Sequence, residues 1–116
     1  MWRFAVWLCL PAVLVACGSG FQSGKAVYDE NCLPCHGPRG QGDGPFADKF
    51  LSLPPDLTIL ARENGGDYPA LYVANVIEGQ GRGEHFSAAM PEFAQTLSGK
   101  AVPMDALVAY VESLQK

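Results

Sequence analysis

Basic side chains are scarce in this chain. Eight Lys and Arg stand against twelve Asp and Glu among 116 residues, a formal net charge of −4. That excludes nucleic acid as a partner, because phosphate binding needs clustered Lys and Arg. Charge of either sign is sparse at 17%, while 48% of the residues are hydrophobic. A disordered chain shows the reverse balance. No apolar run is suited to spanning a bilayer. The run at residues 4–16 covers roughly 20 Å as a helix, against a hydrocarbon core of about 30 Å, and Pro11 interrupts it. Strand-like alternation and internal repeats are also missing, so nothing points to β architecture or a solenoid. What remains is one small globular domain, rich in Gly (13) and Pro (9). Its core is modest, so a metal, disulfides or a buried cofactor would help it fold.

Four cysteines are present, at Cys9, Cys17, Cys32 and Cys35. The first two belong to an N-terminal address. Arg3 precedes the apolar run, the layout of a bacterial secretory signal. Leu14-Val15-Ala16-Cys17 resembles the lipobox of bacterial lipoproteins, in which the chain is cut before the cysteine and the cysteine is acylated. The alternative is an ordinary signal peptide that happens to contain a cysteine. The lipobox reading divides the chain into a signal peptide at residues 1–16, a lipid-anchored flexible leash at 17–22 and a folded domain at 23–116. It places the protein in the bacterial cell envelope, facing the periplasm and held to a membrane through lipid at Cys17. The cleaved chain has 100 residues and a net charge of −5, since only Arg3 is lost from the charged set. It also loses Trp2 and Trp7, and with them all its tryptophan.

Cys32-Leu33-Pro34-Cys35-His36 is C-x-x-C-H, the c-type haem attachment signature. Two thiols three residues apart sit on one side of a helical turn and reach the two vinyl groups on one porphyrin edge. The histidine that follows is delivered to the iron. Three other readings compete. A thioredoxin-like pair needs a preceding strand and a βαβ pattern, which are missing. A zinc site built from Cys32, Cys35, His36 and His85 lacks the usual second ligand pair. A structural disulfide is the third.

Helical patterns surround the motif. Residues 23–31 read as a first helix capped by Ser23 and stopped, beyond the motif, by Gly37. Residues 37–56 read as a Gly/Pro-dense loop hugging the cofactor. Residues 56–64 read as a short helix capped by Asp56 or Thr58. Residues 67–78 read as another, with Pro69 in its first turn, Gly79 past its end, and Leu71, Tyr72, Ala74, Val76 and Ile77 on its buried side. Residues 79–101 read as a second loop. Residues 103–114 are the clearest helix, with Met104, Leu107, Val108, Val111 and Leu114 on one stripe.

Taken together, Cys32-Leu33-Pro34-Cys35-His36-Gly37, Gly40-x-Gly42-Asp43-Gly44-Pro45, Met90-Pro91 and the closing 107–114 helix resemble the class I c-type cytochromes, the small monohaem bacterial kind. The resemblance covers most of residues 23–116. It implies an all-α cytochrome c fold, with three to five short helices and long loops wrapped around one haem c attached through Cys32 and Cys35. It implies that Gly24 and Tyr28 on the first helix cross Leu107 and Tyr110 on the last. His36 and Met90 would be the axial ligands, with His85, Met104 and an open iron site as competitors. A carbonyl of Pro54 or Pro55 would orient the His36 ring. Arg39, Arg62, Tyr68, Tyr72 and Arg82 are candidates for the haem propionates.

The function so implied is single-electron transfer without catalysis of its own. The expected partners are redox proteins with a basic or apolar docking patch, and the protein is a monomer unless part of a complex. A fixed electron-accepting subunit of a dehydrogenase is the alternative, and a gas sensor or peroxidase-like protein a more distant one.

Overall fold

The computed structural model describes residues 19–84, 86–94 and 104–116. The signal segment, the lipidation candidate Cys17, the ligand competitor His85 and the start of the last helix at Pro103 lie outside the described residues. Among the described residues there are five α-helices: α1 (Ser19–Asn31), α2 (Leu33–His36), α3 (Leu60–Glu63), α4 (Ala70–Glu78) and α5 (Met104–Ser113). Two 3₁₀ turns, Ala47–Lys49 and Leu57–Ile59, punctuate the connections, and no strand occurs among the described residues. The all-α expectation holds.

The fold is organised by α1 lying across α5. A Cβ at Gly24 would run into the backbone carbonyl of Ala106, so only glycine lets the two backbones approach this closely. One helical turn further, Tyr28 is fully buried and its ring stacks at a tilt on Tyr110, centroids 5.1 Å apart. Leu107 is buried beside them. The crossing of Gly24 and Tyr28 with Leu107 and Tyr110 is thus formed.

The first helix starts earlier than its composition suggests. Residues 19–22, read from their Gly and Ser content as a leash, belong to α1. The reason is Phe21, whose ring meets Tyr110 edge-on at 5.4 Å. Positions 21, 24 and 28 share one helical face, and all three turn toward α5. Ser23 is consequently no cap. It lies inside the helix and bonds back to the Gly20 carbonyl at 2.8 Å.

The segment after the long loop is capped by Asp56, which accepts from the Thr58 amide at 2.8 Å and the Thr58 hydroxyl at 2.6 Å. Its turn is 3₁₀ before it becomes α3. The chain end holds this segment in place. Gln115 Nε2 donates to the Leu57 carbonyl at 2.6 Å, and its Oε1 accepts from the Ala61 amide at 2.9 Å.

Helix α4 starts at Ala70, because Pro69 precedes it without an N–H of its own and offers its carbonyl to Val73 N at 3.0 Å. Gly79 closes it in the left-handed conformation. Its buried residues are Val73 and Ile77. Leu71 and Tyr72, expected inside, are 76% and 54% exposed. A helix of two and a half turns has room for one core stripe, and Val73 and Ile77, four apart, occupy it. Val73, Ile77 and Phe93 complete a core with Val27, Tyr28, Leu107, Val108, Tyr110 and Val111.

Replacing Gly24 tests the crossing. Helix propensity favours alanine by about 1 kcal/mol, but the clash is with backbone, and overpacking of that kind costs about 3 kcal/mol. Gly24→Ala should therefore lower stability by about 2 kcal/mol in urea denaturation.

Candidate functional site

The C-x-x-C-H segment is a single helical turn set on the end of α1. The Cys32 amide bonds to the Tyr28 carbonyl at 2.8 Å, and the His36 amide to the Cys32 carbonyl at 2.8 Å. Pro34 sits in the first turn, where a missing N–H costs nothing. So short a helix leaves its last carbonyls without helical partners. The following loop supplies them all. Gly37 N donates to Leu33 O at 2.8 Å, Phe46 N to Pro34 O at 2.8 Å, Gly44 N to Cys35 O at 3.1 Å and Gly42 N to His36 O at 2.8 Å. The approach explains the glycines. A Cβ at Gly44 would sit 2.5 Å from both the Leu33 and Pro34 carbonyl oxygens. Tyr28 adds a bond from the core, its buried hydroxyl donating to the Gly37 carbonyl at 2.7 Å.

This turn forms one wall of a cavity of about 510 Å³, within the range for small-molecule and cofactor sites. Cys32, Cys35 and His36 face it, as do Pro54, Pro55 and Met90, so the residues singled out for attachment, ligation and ring orientation meet there. Val73, Val76 and Ile77 from α4, with Leu57, Phe86 and Phe93, make the remaining walls mostly apolar. Met104 packs against the core and does not line the cavity.

The chemistry of the donors can be read from their burial. No disulfide joins Cys32 to Cys35. Burial, with Cys35 nearby, pushes the Cys32 thiol up to about 12. A redox-active thiol pair needs the opposite shift. Burial also lowers the pKa of His36, and the Pro55 carbonyl opposes that effect. The ring is therefore neutral at neutral pH, the form that ligates a metal. Its Nδ1 is buried without a completed hydrogen bond. Pro55 is the proline whose carbonyl acts on the ring, whereas the Pro54 carbonyl lies against Gly42. Two thiols and an imidazole on one turn, a thioether on another loop and apolar walls fit a covalently held haem.

The propionate candidates fare differently. Arg39 and Arg62 are exposed and away from the lining. The Tyr68 hydroxyl is already engaged, donating to the Val108 carbonyl at 2.9 Å. Tyr72 alone of the five lines the cavity. Arg82 is spent on backbone: its guanidinium donates to the carbonyls of Val76, Met90 and Pro91. Its position between Gly81 and Gly83 signals a turn, but spacing alone gives no hint of those acceptors. The Tyr28 hydroxyl was equally illegible, since a core tyrosine needs some acceptor but does not name it.

The family model for cytochrome c matches residues 21–115 of the chain. Cytochrome c-554(547) of Halothiobacillus neapolitanus is 35% identical over 95 residues, spanning 80% of this chain and 94% of that protein. No solved structure matches.

Tyr28→Phe isolates the hydroxyl's contribution to the turn. The Gly37 carbonyl keeps its weaker bond from Gly40 N at 3.2 Å. The loss should therefore be about 1 kcal/mol, that of a single buried hydrogen bond, measured by urea denaturation.

Proposed function

The chain belongs to the cytochrome c family, and from that premise we propose that it is a membrane-tethered monohaem carrier, passing single electrons between redox partners outside the cytoplasmic membrane. Membership makes it an electron-transfer haem protein with one covalently attached haem c, in a family of carriers rather than enzymes. The finer reading rests on one observation: His36 and Met90 share the apolar cavity with Cys32 and Cys35. Bound haem c supplies a one-electron iron couple.

The residues divide the remaining work. Cys32 and Cys35 anchor the group as thioethers. His36 would ligate the iron through one ring nitrogen, and the Pro55 carbonyl would orient the ring through the other. Met90 would supply the second side-chain ligand. A thioether paired with imidazole raises the reduction potential relative to two nitrogens. With both positions filled, no site is left for a gas or a peroxide. The apolar walls would exclude water from the group. The acidic charge of the domain favours a partner with a basic patch.

A permanent subunit of a dehydrogenase is the second reading, favoured by Leu51 and Leu71, which lie outside the cavity lining and are 111% and 76% exposed. A stable large complex on detergent extraction supports the subunit, and a free small protein supports the carrier. Residues 1–16 are read as the signal and Cys17 as the lipidated residue, with the folded domain beginning in α1.

Two measurements test this reading. Met90→Ala should abolish the weak far-red absorption of oxidised, methionine-ligated haem and lower the potential by on the order of 0.2 V. A variant that keeps both overturns the ligand assignment. Cells fed labelled palmitate should label the parent protein and not Cys17→Ser. An unlabelled parent overturns the tether.

A further inference from the structure

Arg82 stands out once the ligands are assigned. It lies on the loop that carries Met90, half-buried, and its positive charge meets no carboxylate within salt-bridge distance among the described residues. Its donors go to three backbone carbonyls. Nε and one terminal nitrogen reach Val76 O at 3.0 and 2.9 Å. The same terminal nitrogen reaches Pro91 O at 2.8 Å, and the other reaches Met90 O at 2.8 Å. Its guanidinium carbon also lies 4.6 Å from the centre of the Phe86 ring. Val76 is in the last turn of α4, where its carbonyl also accepts from the Gly79 amide at 3.1 Å and the helix dipole favours a cation. The guanidinium therefore ties a rigid helix end to the residue whose side chain enters the cavity, and to the next one.

Met90 packs its side chain against the core, but few other hydrogen bonds hold its backbone. Among the described residues the backbone bonds inside the loop are local: Phe86 N to Gly83 O at 2.9 Å and Met90 N to Ser87 O at 3.4 Å. The next tie to α4 comes after the loop, from Phe93 N to Ile77 O at 2.9 Å.

We propose that Arg82 is the positioning residue for the Met90 ligand, holding the Met90-Pro91 backbone against the end of α4 so that the thioether stays on the iron. The inference rests on the assignment of Met90 as ligand. It acts on the ligand's residence rather than on the fold, because the core and the His36 turn use none of these bonds. Geometry, and not charge alone, carries the effect. A lysine ammonium is a single point of donation and cannot span three carbonyls as the planar fork does.

The test uses the haem-loaded protein and imidazole, which binds ferric iron only where Met90 has let go. Freed of the clamp, Arg82→Gln should bind imidazole about tenfold more tightly than the parent, since two charge-assisted bonds to the Met90 segment are lost. Arg82→Lys should lie closer to Arg82→Gln than to the parent. In a Met90→Ala background, Arg82→Gln should have no further effect, since no thioether remains to be displaced. An Arg82→Gln affinity within about twofold of the parent overturns the proposal. So does full restoration by lysine, which would make it an effect of charge, or an undiminished effect without Met90, which would make it general loosening. The ligand assignment fails separately. If Met90→Ala leaves the parent's far-red band and imidazole affinity unchanged, Met90 is not the ligand, whatever Arg82 does.

Discussion

The close contact of α1 with α5 at Gly24 is the constraint on which the remainder depends. Because the backbones approach to the distance that only glycine allows, the next turn of α1 brings Tyr28 under Tyr110 and into full burial. A tyrosine buried that deeply needs a partner for its hydroxyl. It finds one in the Gly37 carbonyl, directly after the C-x-x-C-H turn. A helix crossing in the core thus sets the position of the cofactor-binding turn through a single side chain. The same helix runs on into that turn through the bond from Cys32 N to Tyr28 O. Burial accordingly pushes the Tyr28 pKa up, so the hydroxyl stays a donor.

The turn itself would be unstable alone. Four residues make too short a helix to satisfy their own carbonyls. The Gly-rich loop completes it, amide by amide, and the glycines are there because the loop backbone lies against the turn backbone. The Gly-rich composition therefore describes close packing of main chain on main chain. One consequence reaches the histidine. Its carbonyl is held by Gly42, and the same glycine makes room for the Pro54-Pro55 segment, whose second carbonyl acts on the ring.

Local chemistry was legible in the sequence wherever it obeyed spacing rules. The C-x-x-C-H turn, the Asp56 cap, the Gly79 stop and the stripe of α5 all follow from patterns a few residues long. The helix crossing came from the family resemblance rather than from those patterns. What escaped depended on partners far away in the chain. Phe21 could not be separated from a flexible Gly/Ser leash without knowing that Tyr110 faces it. Leu71 and Tyr72 looked as apolar as Val73, and only the direction of the neighbouring core decides among them. Pro54 and Pro55 are equivalent by composition and differ only in which carbonyl turns toward His36. Arg82 resembled an anion-binding arginine because charge is visible in a sequence and a set of backbone acceptors is not.

The two segments that bear the proposed ligands are restrained by different means. The His36 turn is fixed four times over by loop amides and once by a core tyrosine, all neutral donors arranged by packing. The Met90 segment has no such frame. It leaves α4 at a left-handed glycine, crosses the cavity lining and returns to the core at Phe93. A chain of this size has little apolar side chain to spare for packing a second loop, and burying more would close the cavity. A guanidinium solves the problem differently. It gathers three carbonyls of two segments at one point and lays its face toward Phe86. Carbonyl acceptors keep the charge satisfied without a carboxylate beside an apolar site, where an unpaired acid would be costly to bury. An electron carrier works best when its ligands hold still through a change of charge. Here one ligand is held by loop amides and a core tyrosine, and the other by its packing on the core and one guanidinium, so the Arg82 clamp is where such a protein can be loosened or tightened without disturbing the His36 turn.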